Sequence, residues 1–219
     1  MSQQMSFDWP TGVALGPEDF FVSEANAQAY AMVTNPESWP DRKLVITGPA
    51  GCGKSHLARI FQAQKDAITF SAKNFTASDR PNGQMIIVED METLGKESEE
   101  TMFHLHNNLR DSGGTLLMTA KTAPSRWSIT LPDLASRMQA TTVVQITDPD
   151  DALLQALIMK LFADRGIAPK PELMAYLASR LERSYGTASD FVARLDELAL
   201  TTGEKINRNL ARLLLDKQG

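Results

Sequence analysis

Eight consecutive residues, Gly48-Pro49-Ala50-Gly51-Cys52-Gly53-Lys54-Ser55, fit the pattern G-x-x-x-x-G-K-S/T. A loop of this kind binds phosphate. Its glycines let the backbone curl until successive N–H groups converge on phosphate oxygens. A helix beginning at its end adds partial positive charge. Lys54 is expected to reach the β- and γ-phosphates and the Ser55 hydroxyl to ligate Mg2+, with His56 next along the helix. A second chemical group lies downstream, where the apolar run Gln84-Met85-Ile86-Ile87-Val88 ends in Glu89-Asp90. A buried strand ending in two acids delivers both carboxylates to the C-terminal edge of its sheet, where a phosphate loop also sits. One can then hold Mg2+ through water while the other orients or activates a water.

Those groups need elements to carry them. Lys43 to Thr47 reads as a buried strand before the loop, and His56 to Phe61 as the helix after it. Further strands are expected at 67–70, 84–88, 115–119 and 142–146, and helices at 23–34, 96–111 and 131–137. Ser23 is a candidate N-cap. Phe20, Phe21 and Val22 precede that first helix and could contact a purine ring or join the core. Strands alternating with helices predict an α/β domain with a five-stranded parallel sheet over 17–147. From Asp148 the pattern becomes wholly helical, with helices expected at 150–165, 170–184, 187–202 and 206–217. This sets a boundary near 148, with a helical lid over 148–219. Residues 1–16 read as an extended tail. In it, Gln4-Met5-Ser6-Phe7-Asp8-Trp9 alternates polar with bulky apolar residues, which calls for a partner or for folding back onto the domain.

Composition narrows the classes. The chain has 219 residues and a net charge of −5, which argues against a broad basic nucleic-acid face. Cys52 is the single cysteine, so no internal disulfide is available and a reducing cytoplasm fits. A helix N-terminus lowers thiol pKa, so oxidation of Cys52 would be one way to block the loop, though a small residue at a variable loop position explains it better. No apolar run spans a membrane. His104 and His106 are two apart and face different ways on a helix, a poor metal pair that reads as surface or packing histidines.

Taken together, Gly48 to Ser55, Ile86 to Asp90, the segment Leu131-Pro132-Asp133-Leu134-Ala135-Ser136-Arg137 and the helices after 148 resemble the DnaA family of AAA+ proteins. Within that family the chain is most similar to the Hda regulators, which inactivate the initiator DnaA. The resemblance covers nearly the whole chain and implies several things. Arg137 becomes an arginine finger for a nucleotide held by a neighbouring protein, where a guanidinium that cannot deprotonate meets phosphoryl charge. Gln4, Met5, Phe7 and Trp9 become a peptide that docks on the DNA polymerase sliding clamp. The bound cofactor is ADP or ATP with Mg2+, held by the loop, Val22 and His56, with Ser55 and Glu89 as metal-holding residues. DnaA is the second partner, DNA contact is indirect or weak, and a homo-oligomer is compatible. The chain ends soon after the lid, so a stand-alone initiator is not expected.

Three positions depart from the family pattern. Glu89 stands where the acid pair usually starts with Asp, Lys121 where a sensor position often has Asp, and Ser189 where the lid carries an arginine. Arg183 and Arg194 are nearby candidates to replace that arginine. A module that binds nucleotide and hydrolyses it slowly itself is the expectation. A self-contained ATPase or DNA-loading factor, and a non-catalytic nucleotide-binding adaptor, are the alternatives; a small-molecule kinase fits less well, because this lid lacks the sensor arginine.

Overall fold

The structure, a computed structural model, describes residues 20–76 and 84–216. The tail and its peptide Gln4, Met5, Phe7 and Trp9 lie outside the described residues. Five strands, β1 (Lys43–Thr47), β2 (Ile68–Ser71), β3 (Met85–Glu89), β4 (Thr115–Ala120) and β5 (Thr142–Gln145), form one parallel sheet in the order β2-β3-β4-β1-β5. Every residue of β1 and β4 is buried, as central strands covered on both faces require. The edge strand β2 is largely exposed.

Strand alternation sends side chains to two cores. Leu44 and Ile46 point to one face with Leu57, Phe61, Ile87 and Leu117. Val45 points to the other with Ile86, Val88, Met102, Met118 and Leu134. Helices α1 (Ala27–Thr34) and α2 (Lys54–Lys65) supply the first layer, and α3 (Glu99–Ser112) and α4 (Pro132–Ala140) the second. Each fully buried Leu, Ile or Phe contributes on the order of 1.5–3 kcal/mol. Four more helices, α5 (Asp151–Ala163), α6 (Pro171–Ala178), α7 (Tyr185–Thr202) and α8 (Arg208–Asp216), enclose a third core around Ile158, Phe162, Leu177, Phe191 and Leu210. Asp150 starts α5 as a true N-cap, its carboxylate accepting from Leu153 N at 2.8 Å.

Element types follow the sequence reading, and several ends shift. Helix α1 starts at Ala27 rather than Ser23, because Asn26 makes a turn first. Its Oδ1 accepts from Ser23 N and its Nδ2 donates to the Phe21 carbonyl, each at 2.9 Å. Ser23 Oγ accepts from Ala25 N within that turn and caps no helix. Helix α6 stops at Ala178, six residues before the expected end at 184, whereas α7 starts early at Tyr185, capped by Ser184.

Candidate nucleotide-binding cleft and arginine face

The phosphate loop leaves the C-terminal end of β1 and runs into α2. Gly48 has φ 156°, and a Cβ there would lie 2.8 Å from both Cys52 Sγ and the Ile146 carbonyl oxygen. No side chain fits, so the loop is held down onto β5. Gly53 has φ 97° and the Phe20 ring 3.0 Å from a virtual Cβ. Here glycine allows both the left-handed turn and the approach of the ring. Lys54 is buried, and its ammonium donates to the Gly48 and Pro49 carbonyls, each at 2.8 Å. The loop thus closes around its own lysine. Cys52 is buried beneath it, and burial pushes the thiol up against the pull of Lys54. The expectation from helix position, a lowered thiol, is reversed because desolvation outweighs the nearby charge.

A cleft of about 470 Å3 opens over the loop, lined by Ala50 through His56. Aromatic groups close one side. Phe20 stacks on Tyr30 at 5.7 Å and meets His56 edge-on at 5.4 Å. The Asn26 hydrogen bonds fix the turn that aims Phe20 and Phe21 at this wall. Val22, the residue singled out from sequence, is 44% exposed and absent from the lining; the adjacent phenylalanines take the place assigned to it. The opposite wall comes from the C-terminal helices, through Leu153, Leu157 and Lys160 of α5 and Tyr185 of α7. The Tyr185 hydroxyl is buried without a partner among the described residues. Burial, with the charges of Cys52, Asp150 and Asp148, pushes it above the usual tyrosine range, so it remains a neutral donor. Sequence reasoning missed Arg59, Lys160 and Tyr185, because their spacing carries no motif; only the fold gathers them with Phe20.

At the sheet edge Asp90 lines the cleft together with Ser55 and Lys121. Asp90 has φ 58°, and its N–H donates to Thr119 Oγ1 at 3.2 Å, so the turn after β3 is fastened to β4. Glu89 is not in the lining, and its Oε1 is buried without a partner among the described residues. Glu92 accepts from Lys121 N at 3.1 Å and so fixes the turn that brings Lys121 to the cleft. Ser189, Arg183 and Arg194 stay outside the cleft, and Arg183 pairs with Asp151 at 2.9 Å. Lys121 and Lys160 reach it instead, beside Lys54 and Arg59 of α2. The converging loop, the start of α2, four cations (Lys54, Arg59, Lys121 and Lys160) and one carboxylate suit a polyphosphate, and the aromatic wall suits a base. Ser55 with Asp90 offers hard oxygen donors fitting Mg2+.

Arg137 lies elsewhere. It is absent from the cleft lining and sits in the last turn of α4, its carbonyl accepting from Thr141 Oγ1 at 2.9 Å just before Thr142 of β5 pairs with Leu44 near the start of β1, while the phosphate loop follows the last residue of β1. Five strand residues at about 3.3 Å each separate the two ends. The guanidinium lies 5.0 Å from the Phe103 ring centroid. His106 is buried beside it, and its pKa falls to about 4 through desolvation and the charges of Lys43, Arg137 and Arg110. Glu99 is buried at the start of α3. It accepts from Thr130 N, Thr130 Oγ1 and Leu131 N at 2.6–3.1 Å, just before α4. Among the described residues, no cluster of His, Cys, Asp or Glu could hold a metal, and no helix is long and apolar enough to cross a membrane.

No protein-family model matches the chain. The chromosomal replication initiator DnaA of Campylobacter jejuni is 24% identical over 226 residues, covering 90% of this chain and 51% of that protein. The chain therefore spans about half the length of this relative. An uncharacterised protein of Haemophilus influenzae is 26% identical over 185 residues, with 78% and 80% of the two chains covered. Domain III of Thermotoga maritima DnaA superposes with a TM-score of 0.73 at 20% identity, over 95% of this chain and 98% of that one. The fold is that of a DnaA-like AAA+ domain. AMPPCP-bound DnaA from Aquifex aeolicus matches with a TM-score of 0.65 at 18% identity, over 83% of this chain and 65% of that one. These likenesses extend through the helices after β5, since almost the whole chain superposes on domain III.

Proposed function

We propose that this chain is an Hda-like AAA+ regulator of replication initiation. It binds adenine nucleotide with Mg2+ in the cleft over Gly48 to Ser55 and presents Arg137 to ATP held by DnaA, promoting its hydrolysis. Residues 148–219 act as a lid, and the peptide from Gln4 to Trp9 docks on the sliding clamp. The observation that carries this reading is the separation of Arg137 from the chain's own phosphate loop by the length of β1. A guanidinium there serves a nucleotide on a neighbouring protein, where it stabilises phosphoryl charge. The AMPPCP complex of a DnaA relative supports adenine as the base.

Within the chain's own cleft, Lys54, Lys121 and Lys160 bind phosphate, Ser55 and Asp90 hold the metal, and Phe20 shields the base. Glu89 is the second carboxylate of the acid pair. Its distance from the lining, and Ser189 in place of a lid arginine, favour slow intrinsic turnover. The test is single-turnover hydrolysis of ATP bound to DnaA, with the clamp loaded on DNA. Wild-type protein accelerates it, and Arg137→Ala binds nucleotide without accelerating it. Deleting residues 1–9 removes the clamp dependence. Full acceleration by Arg137→Ala would refute the reading.

A further inference from the structure

Helix α3 touches the arginine helix at two points one turn apart. Glu99 and Phe103 are four residues apart, so they share one face of α3. Glu99 grips the segment that leads into α4, taking both backbone N–H groups of Thr130 and Leu131 and the Thr130 hydroxyl. Helix α4 has no side-chain cap of its own, so this carboxylate does from another helix what an N-cap does locally. Phe103 meets α4 near its other end, its ring under the Arg137 guanidinium at 5.0 Å. Phe103 is only half-buried, and Arg137 makes no ion pair among the described residues. A long side chain that is half-exposed and unpaired ordinarily samples many rotamers, and holding it has an entropic cost. A ring face attracts the guanidinium without neutralising it or occupying its N–H donors.

We propose that Phe103 is the positioning residue for Arg137, and that α3 is the rigid mount holding the guanidinium extended, with its N–H donors free for a phosphate on a partner protein. This rests on the function proposed above. The ring sets the aim of the side chain, and Glu99 sets the aim of the helix. A carboxylate in place of Phe103 would hold Arg137 more tightly but would consume the donors that the partner's phosphate needs.

The test compares full-length wild-type protein with Phe103→Leu, which keeps bulk but removes the ring face, and Phe103→Tyr, which keeps the ring. Two quantities are read. The first is the upfield ring-current shift of the Arg137 side-chain protons by NMR. The second is the maximal single-turnover rate for ATP bound to DnaA, with the half-saturating protein concentration measured separately. Phe103→Leu is expected to lose the ring-current shift and about threefold to tenfold of the maximal rate, with half-saturation unchanged, and Phe103→Tyr to restore both. A purely structural role would lower melting temperature and leave the maximal rate of the folded fraction intact. If Phe103→Leu keeps the full rate while Arg137→Ala abolishes it, the inference falls and the function stands. If Arg137→Ala keeps the full rate, both fall.

Discussion

The phosphate-loop cleft and the mount of the arginine helix are built on different plans. Around the phosphate loop, Glu89 Oε1 and the Tyr185 hydroxyl are buried without partners among the described residues. Lys54 is held by the loop itself, through the Gly48 and Pro49 carbonyls and the Cys52 sulfur. Around the arginine helix the main carboxylate, Glu99, has donors on both oxygens, and His106 Nδ1 is the buried atom left without a partner beside Arg137 among the described residues. The first region is arranged to take up a ligand, and the second to hold a helix and its arginine still. A site that binds keeps hydrogen-bonding capacity in reserve, whereas a site that presents uses its capacity internally and leaves one charge outward.

Substitutions in the two regions should therefore separate stability from binding. The largest effect is expected at the mount. Glu99→Ala strands buried donors and is expected to cost about 3 kcal/mol of folding stability in urea denaturation, with nucleotide affinity of the folded protein unchanged. In the cleft, Lys54→Ala removes a charge-assisted contact. It should weaken nucleotide binding by on the order of 10–100-fold by titration calorimetry, with a smaller change in unliganded stability.

Acid should attack the mount through two groups. His106 titrates near 6.5 when unfolded and at about 4 when folded. Between those values the unfolded chain takes up a proton that the native chain refuses, so stability falls as pH drops through that window, by about 3 kcal/mol. Glu99 is raised by burial but lowered further by its hydrogen bonds, for a net depression. Its contribution is present above the ordinary glutamate value and is lost as pH falls through the lower folded one. His106→Gln should flatten the slope between pH 6.5 and 4 in thermal melts and leave the more acidic part intact. The smallest effect is expected at Arg183. Its pair with Asp151 is exposed on both sides and remote from the cleft, so Arg183→Ala should change stability by about 0.5 kcal/mol or less and nucleotide affinity not at all.

The same contrast explains what the sequence could tell. The phosphate loop is legible because its chemistry depends on backbone shape, and that shape demands glycine at fixed spacing, as Gly48 and Gly53 show. The acid pair and β1 are legible because a buried parallel strand is continuously apolar. The cleft walls are not. Phe20, Lys160 and Tyr185 come from three separate segments, and only tertiary packing brings them together. Val22 looked equivalent to its phenylalanine neighbours until the Asn26 hydrogen bonds fixed which side chains of the turn face inward. Neither Arg183 nor Arg194 replaces the missing lid arginine; Lys160 of α5 reaches the cleft instead. Glu99 had no local signature either, because the helix start it satisfies lies thirty-odd positions along the chain, in Thr130 and Leu131.

The independence of Arg137 from the chain's own cleft is tested most directly by titrating Arg137→Ala with a fluorescent adenine nucleotide. If Arg137 serves only a partner's nucleotide, the variant binds within about twofold of wild type, a difference under about 0.5 kcal/mol. A loss of about tenfold or more would place the guanidinium in the chain's own cleft and contradict the account.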